Sequence, residues 1–324
     1  MPNIDKINGI DEDDIATHNG ATASTHASKN GDTWGHYAYG GTQYGYTSGG
    51  APPYLNPIDK SSFSSDGDST DVGNLTGNRA FTAGASSKTY GYNAGGEYPN
   101  NVFQNTIDKF AFASDGDASD VGNLTKVVRY AAGHNSATFG YVSAGDSPTT
   151  TGIEKFAFAS DGDATDVGDA TSTKSFTAGA SSTTQGFTHG GYVSGVIDII
   201  DKWDFASDGD AVDHGDLAVG LYSGAGCSSA TYGYSVGGRV PPNYKDHLQK
   251  YLFASNADAT DVANLTSIRG YNCGQSSTTY GYSSGGYNTG VLNIVEKFAF
   301  ASDADATDVG NLTVSRYGVG GQQI

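Results

Sequence analysis

The sequence predicts an all-β fold built from a tandem repeat, and three features of the 324-residue chain support this. Glycine (47) and tyrosine (21) are abundant, a composition that favours strands and tight turns. The tripeptide Tyr44-Gly45-Tyr46 and its variants occur six times, with central glycines 46 to 49 residues apart. An acidic run resembling FASDGDATDV (158–167) also occurs six times. Self-similarity at a fixed period is the mark of a repeat architecture.

Each repeat divides into four short predicted strands, a to d. Alternation along strand c places Phe156 and Phe158 on one face, as in a half-buried strand. In one repeat the predicted strands are RYAAG (a, 129–133), FGYVSAG (b, 139–145), EKFAFAS (c, 154–160) and TDVGDA (d, 165–170).

Units of about 40–50 residues with four strands have the size of propeller blades. A single blade cannot bury both of its faces, so neighbouring blades must stack on it. Six b–c–d sets therefore predict a six-bladed β-propeller over residues 33–324. Strand a occurs seven times, so either its first copy (34–41) or its last (316–321) completes blade 1. The alternative is seven blades, one of them partial and starting near Ile4-Asp5-Lys6.

The order of elements resembles the kelch repeat: a basic residue, a small strand, an apolar strand ending in Gly-Gly, then an aromatic strand and hairpin. The resemblance covers about residues 33–324 and implies a kelch-like propeller. The late tryptophan of kelch repeats is missing, and valines such as Val121 and Val167 stand near its place. The segment FASDGDASDVGNLT (112–125) also resembles repeat-containing virion structural proteins of marine tailed bacteriophages. This resemblance implies a virion protein.

The six acidic runs hold 17 of the 35 acidic residues and fall at the c–d hairpins. Asp and Gly are turn formers there, because Asp hydrogen-bonds its own backbone and tolerates left-handed geometry. Calcium binding is the alternative, since carboxylates at this spacing supply hard oxygen ligands in one loop. We expect no cofactor, with calcium as the alternative occupant. Its candidate ligands are Asp115, Asp117, Asp120, Asp161, Asp163 and Asp166.

Charge and motifs restrict the function classes. A net charge of −18 repels nucleic acid, so no nucleic-acid partner is expected. Cys227 and Cys273 lack zinc-ligand spacing and are predicted to be free thiols. The N-terminus resembles no signal peptide, and no stretch approaches the ~18 apolar residues of a membrane span. Ser/His/Asp sets, HExxH and phosphate-binding loops are absent, so we expect a non-enzymatic protein.

Basic residues recur between strand d and the next strand a. We expect them near the channel mouth, either in salt bridges to neighbouring acids or in an anion site. A sialidase-like, glycan-active propeller would use such a cluster and is the enzymatic alternative. A cellular kelch-type interaction module is a further alternative. The recurring residues are Arg79, Arg129, Lys174, Arg269 and Arg316, with Leu221 in the remaining slot.

The b–c links differ between repeats, and function on a repeated scaffold lies where repeats differ. In a four-stranded blade these links share one face with the d–a links, opposite the acidic turns. Exposed aromatic side chains on such loops suit sugar faces or protein epitopes. The predicted contact residues for a host-surface glycan or protein are Tyr54, Tyr98, Phe103, Tyr192, Tyr244 and Tyr287.

Residues 1–32 do not follow the repeat and are predicted to form an arm or linker. A short motif repeats there eleven residues apart, and its Asn-Gly pairs favour tight turns. The segment resembles leader segments of marine phage structural proteins, which implies attachment to other virion proteins. We therefore expect a phage tail, fibre or capsid-decoration protein located in the virion, with homo-oligomerisation there as a further expectation. The predicted anchor residues are Ile4, Asn8, Gly9, Ile15, Asn19 and Gly20.

Overall fold

A computed structural model describes residues 6–7, 10–11, 40–146 and 149–324, and these residues form strands, turns and loops without a helix. Six antiparallel four-stranded sheets are the blades of a β-propeller, as predicted. The four strands of each blade are called a to d from the axis outward. Blade 1 comprises Gly320–Gln323, Tyr44–Ser48, Pro57–Ser62 and Thr70–Asn74; blade 2 comprises Ala83–Ser86, Tyr90–Ala94, Thr106–Ala111 and Ser119–Asn123; blade 3 comprises Ala132–Asn135, Phe139–Ser143, Gly152–Ala157 and Thr165–Asp169.

Blades 4 to 6 repeat this order, and two small hairpins complete the strands. Blade 4 comprises Ala178–Ser181, Gln185–His189, Ile199–Asp204 and Val212–Asp216; blade 5 comprises Ala225–Ser228, Tyr232–Val240, Asn243–Leu252 and Thr260–Arg269; blade 6 comprises Cys273–Ser276, Tyr280–Ser284, Ile294–Ala299 and Thr307–Asn311. The hairpins pair Lys6–Ile7 with Ile10–Asp11, and Glu97–Tyr98 with Val102–Phe103.

The last copy of strand a closes the ring. Gly320 pairs with Ser48 and Gln323 with Gly45, so the C-terminal strand is the inner strand of blade 1. The described end of the first copy lies elsewhere: Gly41 forms a parallel bridge to Ser277, beside the inner strand of blade 6. Six blades complete the circle, so the seven-bladed alternative is wrong.

The predicted start of strand a is also wrong. In blade 3 the strand is Ala132–Asn135, three residues later than expected from the RYAAG motif. Tyr130 has a φ of 56°, a left-handed conformation that cannot continue a strand. The Arg-Tyr pair therefore belongs to the d–a junction, and the inner strand contains the small residues that follow it.

Small residues are required at the axis because the inner strands nearly touch. Each contains one glycine whose added Cβ would lie 1.9 to 2.5 Å from the backbone carbonyl oxygen of an adjacent inner strand. Serine side chains join neighbouring strands; for example, the Ser181 amide donates to Ser228 Oγ over 2.9 Å. The remaining channel is a polar cavity of about 60 Å³. The axial glycines are Gly84, Gly133, Gly179, Gly226, Gly274 and Gly321.

Aromatic contacts between blades form much of the core. Tyr92 of blade 2 packs on Phe156 and Phe158 of blade 3, with ring centroids 5.4 and 4.9 Å apart. The predicted common face of these two phenylalanines is therefore confirmed. Equivalent contacts recur at the other blade interfaces, for example between Phe187 and Phe253 at 4.7 Å. Such rings contribute large buried areas and a preferred packing geometry.

The acidic runs form the c–d turns and join each blade to the one before it. In blade 2, Asp115 Oδ1 accepts from Lys60 Nζ (3.0 Å) and Asp117 Oδ1 accepts from the Asn74 amide (2.9 Å), both donors lying in blade 1. The third carboxylate, Asp120, lies in strand d and accepts from the Gly122 amide two residues ahead, at the point where the register with strand c shifts. The predicted turn chemistry is thus confirmed, with an added role in blade–blade contact.

The lysine contacts continue around the ring. The blade 5 turn has Asn256 in place of the first aspartate, and its Oδ1 still accepts from Lys202 Nζ over 3.0 Å. Exposed pairs of this kind each contribute at most about 1 kcal/mol. Their value lies in joining every neighbouring pair of blades on the same face. The five ionic pairs are Lys60–Asp115, Lys109–Asp161, Lys155–Asp208, Lys250–Asp303 and Lys297–Asp66.

Candidate ligand-binding site

The antiparallel strand order places the a–b and c–d turns on one side of the ring, here called the turn face. The b–c loops and d–a junctions lie on the other side, here called the loop face. Near the axis of the loop face, six aromatic side chains enclose a cavity of about 230 Å³, here called the tyrosine pocket. Its lining residues are Phe81, Tyr130, Tyr244, Tyr271, Tyr287 and Tyr317.

Two of the predicted contact residues, Tyr244 and Tyr287, thus line the pocket, with ring centroids 5.9 Å apart. Tyr244 comes from blade 5, where the predicted long b–c loop is instead an extension of the Tyr232–Val240 and Asn243–Leu252 hairpin. Tyr287 comes from the short loop of blade 6. The two side chains are half-buried, which leaves part of each ring open to a ligand.

The other four predicted residues surround the pocket in different ways. Tyr192 packs on Tyr222 with ring centroids 5.2 Å apart. The Phe103 ring lies 4.5 Å from the Arg129 guanidinium, and the Tyr54 hydroxyl donates to the carboxylate of Glu97. Tyr98 packs against Gly77, farther from the axis. These residues support the polar groups beside the pocket and do not line it.

The central aromatic residues of the loop face were missed from the sequence. Tyr130 stacks on Phe176 at 3.8 Å, and Phe81 of the junction into blade 2 contacts Tyr271 of the junction into blade 6 at 6.1 Å. Contacts between blades that are not neighbours show that these rings meet across the axis. All four occupy the position two residues before strand a, where φ is between 56° and 60°.

The pocket exists because this central ring is incomplete. The same left-handed position holds Ser223 in the junction into blade 5 and Gly318 in the junction into blade 1. A Cβ on Gly318 would lie 2.5 Å from the Phe81 ring, so the missing side chain gives Phe81 its place. Tyr317, one residue earlier, then faces Tyr287 at 5.5 Å across the cavity.

Charged groups stand beside the aromatic rings. Arg129 donates to Glu97 and, over 3.2 Å, to Asp146. Burial alone would lower the pKa of Arg129, but the neighbouring Tyr130 hydroxyl and the two carboxylates raise it above its ordinary value. The Arg239 guanidinium lies 5.3 Å from the Tyr244 ring. Two cations and two carboxylates give the surroundings of the pocket no net charge, in contrast with the acidic turn face.

Exposed apolar residues are concentrated on the loop face. Among the described residues, five of the six exposed large hydrophobic side chains lie on the loop face: four in b–c loops or d–a junctions, and Ile268 near the loop-face end of strand d of blade 5. The sixth, Val212, lies in strand d of blade 4. The five are Val102, Val127, Val193, Ile268 and Val314.

The recurrent basic residues do not form an anion site. The side chains of Arg79, Lys174, Arg269 and Arg316 are fully buried and pair with acids on strand c of the blade that follows each junction. These pairs confirm the predicted salt bridges. The expected location at the channel mouth is wrong. Arg129 is not equivalent to these four residues, because Val128 occupies the corresponding position in the junction into blade 3. The pairs are Arg79–Asp108 (2.6 Å), Lys174–Asp201 (2.8 Å), Arg316–Asp59 (3.0 Å) and Arg269–Glu296.

The two remaining blades lack the buried cation. In blade 5 the slot holds Leu221, and the facing residue is Gln249, whose amide exchanges two hydrogen bonds with the Val219 backbone at 2.8 and 3.0 Å. In blade 3 the slot holds Val128, but the facing residue is still an acid, Glu154, which accepts from the Thr125 amide over 2.6 Å. Burial raises the pKa of this carboxyl.

We expect Glu154→Gln to stabilise the protein at neutral pH by on the order of 1 kcal/mol. This is the size of the desolvation cost of a buried polar group that its hydrogen bonds do not fully offset. The folded-state pKa of Glu154 is raised, so the protonated carboxyl stabilises the folded protein at low pH. This stabilisation is lost as the pH rises through that pKa. The advantage of the variant should therefore grow between pH 4 and pH 8 in thermal melts. Glu296→Gln is the matched control, and it should destabilise because Arg269 loses its partner. An advantage that shrinks with pH would contradict this account.

The remaining predicted residues have the following places. The candidate calcium ligands Asp115, Asp117, Asp161 and Asp163 accept hydrogen bonds from lysine or backbone donors of the preceding blade. Asp120 and Asp166 accept from backbone amides of their own d strands. Within the described ranges, no three His, Cys, Asp or Glu side chains are placed to hold a metal ion. Cys227 and Cys273 are buried free thiols, as predicted. The anchor residues Ile4, Asn8, Gly9, Ile15, Asn19 and Gly20 lie outside the described residues.

The fold and this site define the class of the protein: a six-bladed β-propeller with an aromatic pocket on its loop face. Its architecture is consistent with that of protein-interaction modules. No family model matches the chain, and no curated protein is similar to it. In the described part of the chain, no helix is long and apolar enough to cross a membrane.

Proposed function

We propose that the chain is a non-enzymatic recognition propeller that binds its ligand through the loop face. One observation carries this proposal: side chains from variable loops and from invariantly placed d–a junctions converge on a single pocket at the axis. The repeated d–a junctions supply four of the six lining residues, and the variable segments of blades 5 and 6 supply the other two, Tyr244 and Tyr287. The surrounding exposed apolar residues extend the contact surface.

The non-enzymatic assignment has support from the charged groups. A sialidase-like enzyme would need several of the recurrent basic residues in the pocket, and four of these are buried in ion pairs. Glu97 and Asp146 both bind Arg129, so each carboxylate is engaged as a partner of the guanidinium. A catalytic acid–base pair instead requires environments that separate the pKa values of two groups.

The entry of the chain into the ring supports anchoring from the opposite side. Gly41 donates its amide to the Ser276 carbonyl over 2.6 Å, at the end of strand a where it reaches the turn face. The described chain thus enters the propeller at Gly40 and Gly41, on the face away from the tyrosine pocket. We propose that residues 1–32 attach the propeller to other proteins of a phage particle, as a tail, fibre or capsid-decoration component, and that the loop face points towards the host surface.

Binding of the labelled full chain to intact bacterial cells tests this proposal. We expect saturable adsorption to host cells, and Thr289→Arg on the loop face should weaken it about tenfold by placing bulk and charge beside Tyr287, equivalent to ~1.4 kcal/mol. Thr278→Arg is the matched control: the same exchange in the same blade, but on the turn face. Both threonines are exposed, so neither exchange should affect folding.

Three outcomes would contradict parts of the proposal. Equal binding by the two threonine variants would remove the loop face as the contact surface. Release of sugar products from the cell surface by the purified chain would replace recognition with enzymatic activity. Deletion of residues 1–32 should leave cell binding intact but prevent co-sedimentation with particles, and continued co-sedimentation would remove the anchor.

A further inference from the structure

We infer that the tyrosine pocket takes a single neutral sugar ring, the terminal residue of a surface glycan. This inference rests on the proposed recognition function and adds the chemical class of the ligand. The argument uses the size of the pocket, the hydroxyl groups around it and the balance of charge beside it.

Size restricts the ligand to one ring. Pockets for drug-sized molecules measure roughly 300–1,000 Å³, and the tyrosine pocket measures about 230 Å³. It lies in the open loop face, so the rest of a longer ligand can extend outward over the neighbouring loops. A terminal sugar residue or one amino-acid side chain would both satisfy this limit.

The hydroxyl groups distinguish these two occupants. Five of the six lining residues are tyrosines, and within the described structure the hydroxyls of Tyr244, Tyr287 and Tyr317 have no hydrogen-bond partner. An apolar side chain would cover these hydroxyls without pairing them, which costs about 1–3 kcal/mol for each polar group. A sugar ring offers hydroxyls that donate and accept, while its C–H surfaces can pack on the tyrosine rings.

The protonation state of the pocket suits this role. Burial raises the pKa of the hydroxyls of Tyr130, Tyr244 and Tyr317. These side chains are therefore neutral at physiological pH and can act both as donors and as acceptors. Ionised phenolates, by contrast, would only accept.

Charge favours a neutral sugar over an acidic one. Arg129 pairs with both Glu97 and Asp146, whereas Arg239 has no carboxylate partner among the described residues and lies beside the rings of Tyr222 and Tyr244. The four charges sum to zero, so the surroundings of the pocket carry no net positive charge that would favour an acidic sugar. The whole chain carries a charge of −18, which repels anionic ligands at long range. The carboxylates beside the pocket can still accept hydrogen bonds from sugar hydroxyls, and the guanidinium can still donate hydrogen bonds to them, both in a planar geometry.

Saturation-transfer NMR on the full chain can test the inference with methyl glycosides of glucose, galactose, mannose, rhamnose and N-acetylglucosamine. Methyl glucuronide and the N-acetyl amides of phenylalanine and tyrosine serve as competing probes. We expect at least one neutral glycoside to bind saturably, with a Kd on the order of 1 mM for so small a ligand. Tyr287→Phe removes one hydroxyl without changing the ring, and it should weaken binding about five-fold or more.

Tyr280→Phe is the matched control, because Tyr280 lies in the same blade at the turn face beside Lys297 and should leave binding unchanged. Preference for the glucuronide or the aromatic amides would overturn the sugar inference. If no probe binds but Thr289→Arg still weakens adsorption to cells, the inference fails and the proposed function stands. If the loop-face variant has no effect on adsorption, the proposed function fails with it.

Discussion

Replacing Arg269 with leucine should lower the free energy of unfolding by about 3–5 kcal/mol, because Glu296 would remain as a buried carboxylate without its cation. The double variant Arg269→Leu/Glu296→Gln should recover a large part of this loss. Blade 5 already contains the neutral combination at the same position, in Leu221 and Gln249. Urea denaturation of both variants measures the two differences.

An exposed pair provides the control for this experiment. Lys60→Met removes the partner of Asp115 on the turn face, where the expected cost is below about 1 kcal/mol. If the double variant is as unstable as Arg269→Leu alone, the loss comes from packing around the arginine side chain and the account based on charge is wrong.

Gly226→Ala should destabilise the protein by at least about 3 kcal/mol, the upper range for overpacking. The added methyl carbon would lie 1.9 Å from the carbonyl oxygen of Gly179 in the adjacent inner strand. Relief would require the strands to separate, and every inner strand is confined on both sides by its neighbours. Thermal and urea denaturation, together with soluble yield, should report the loss.

Gly290→Ala is the matched substitution at a site without such crowding. No atom lies within 4 Å of its added Cβ, so the change should stay within about 0.5 kcal/mol of the parent protein. Comparable stability of the two alanine variants would show that the inner strands can move apart, contrary to the tight axis described above.

Most of the fold could be predicted because its determinants are local and repeated six times. Alternation in strand c identified the buried face of Phe156 and Phe158, and the Asp-rich runs identified the c–d turns. The start of strand a could not be read in the same way. The sequence does not show the left-handed residue at Tyr130 or the carbonyl contacts that require glycine at the axis.

The site was predicted less completely than the fold, for a physical reason. Tyr244 and Tyr287 stand in variable segments and could be selected as differences between repeats. Phe81, Tyr130, Phe176 and Tyr271 stand at a repeated position, and Tyr130 was predicted to lie inside strand a. An aromatic residue two positions before each inner strand is the signal that would have found them, once the strand boundary is known.

The predicted six-bladed ring is confirmed, while the resemblances to the kelch repeat and to phage structural proteins stay predictions. The basic residue of the junction into blade 3 is displaced by one position relative to those of the other junctions. Val128 occupies the position of Arg79, and Arg129 follows it by one residue, so Arg129 lies beside the pocket and not in the core. A displacement of one residue changed a buried structural cation into a surface group.

The closure of blade 1 by Gly320–Gln323 has a mechanical consequence. Gln43 donates its amide to the Ile324 carbonyl over 2.6 Å, so the segment before Tyr44–Ser48 and the segment after Gly320–Gln323 meet at one joint. Tension applied to the chain before residue 40 would load the contact between Gly41 and Ser276 first and this joint next. Deletion of residues 320–324 would leave Tyr44–Ser48 as an unpaired edge strand, so the ring closes only when both segments are in place.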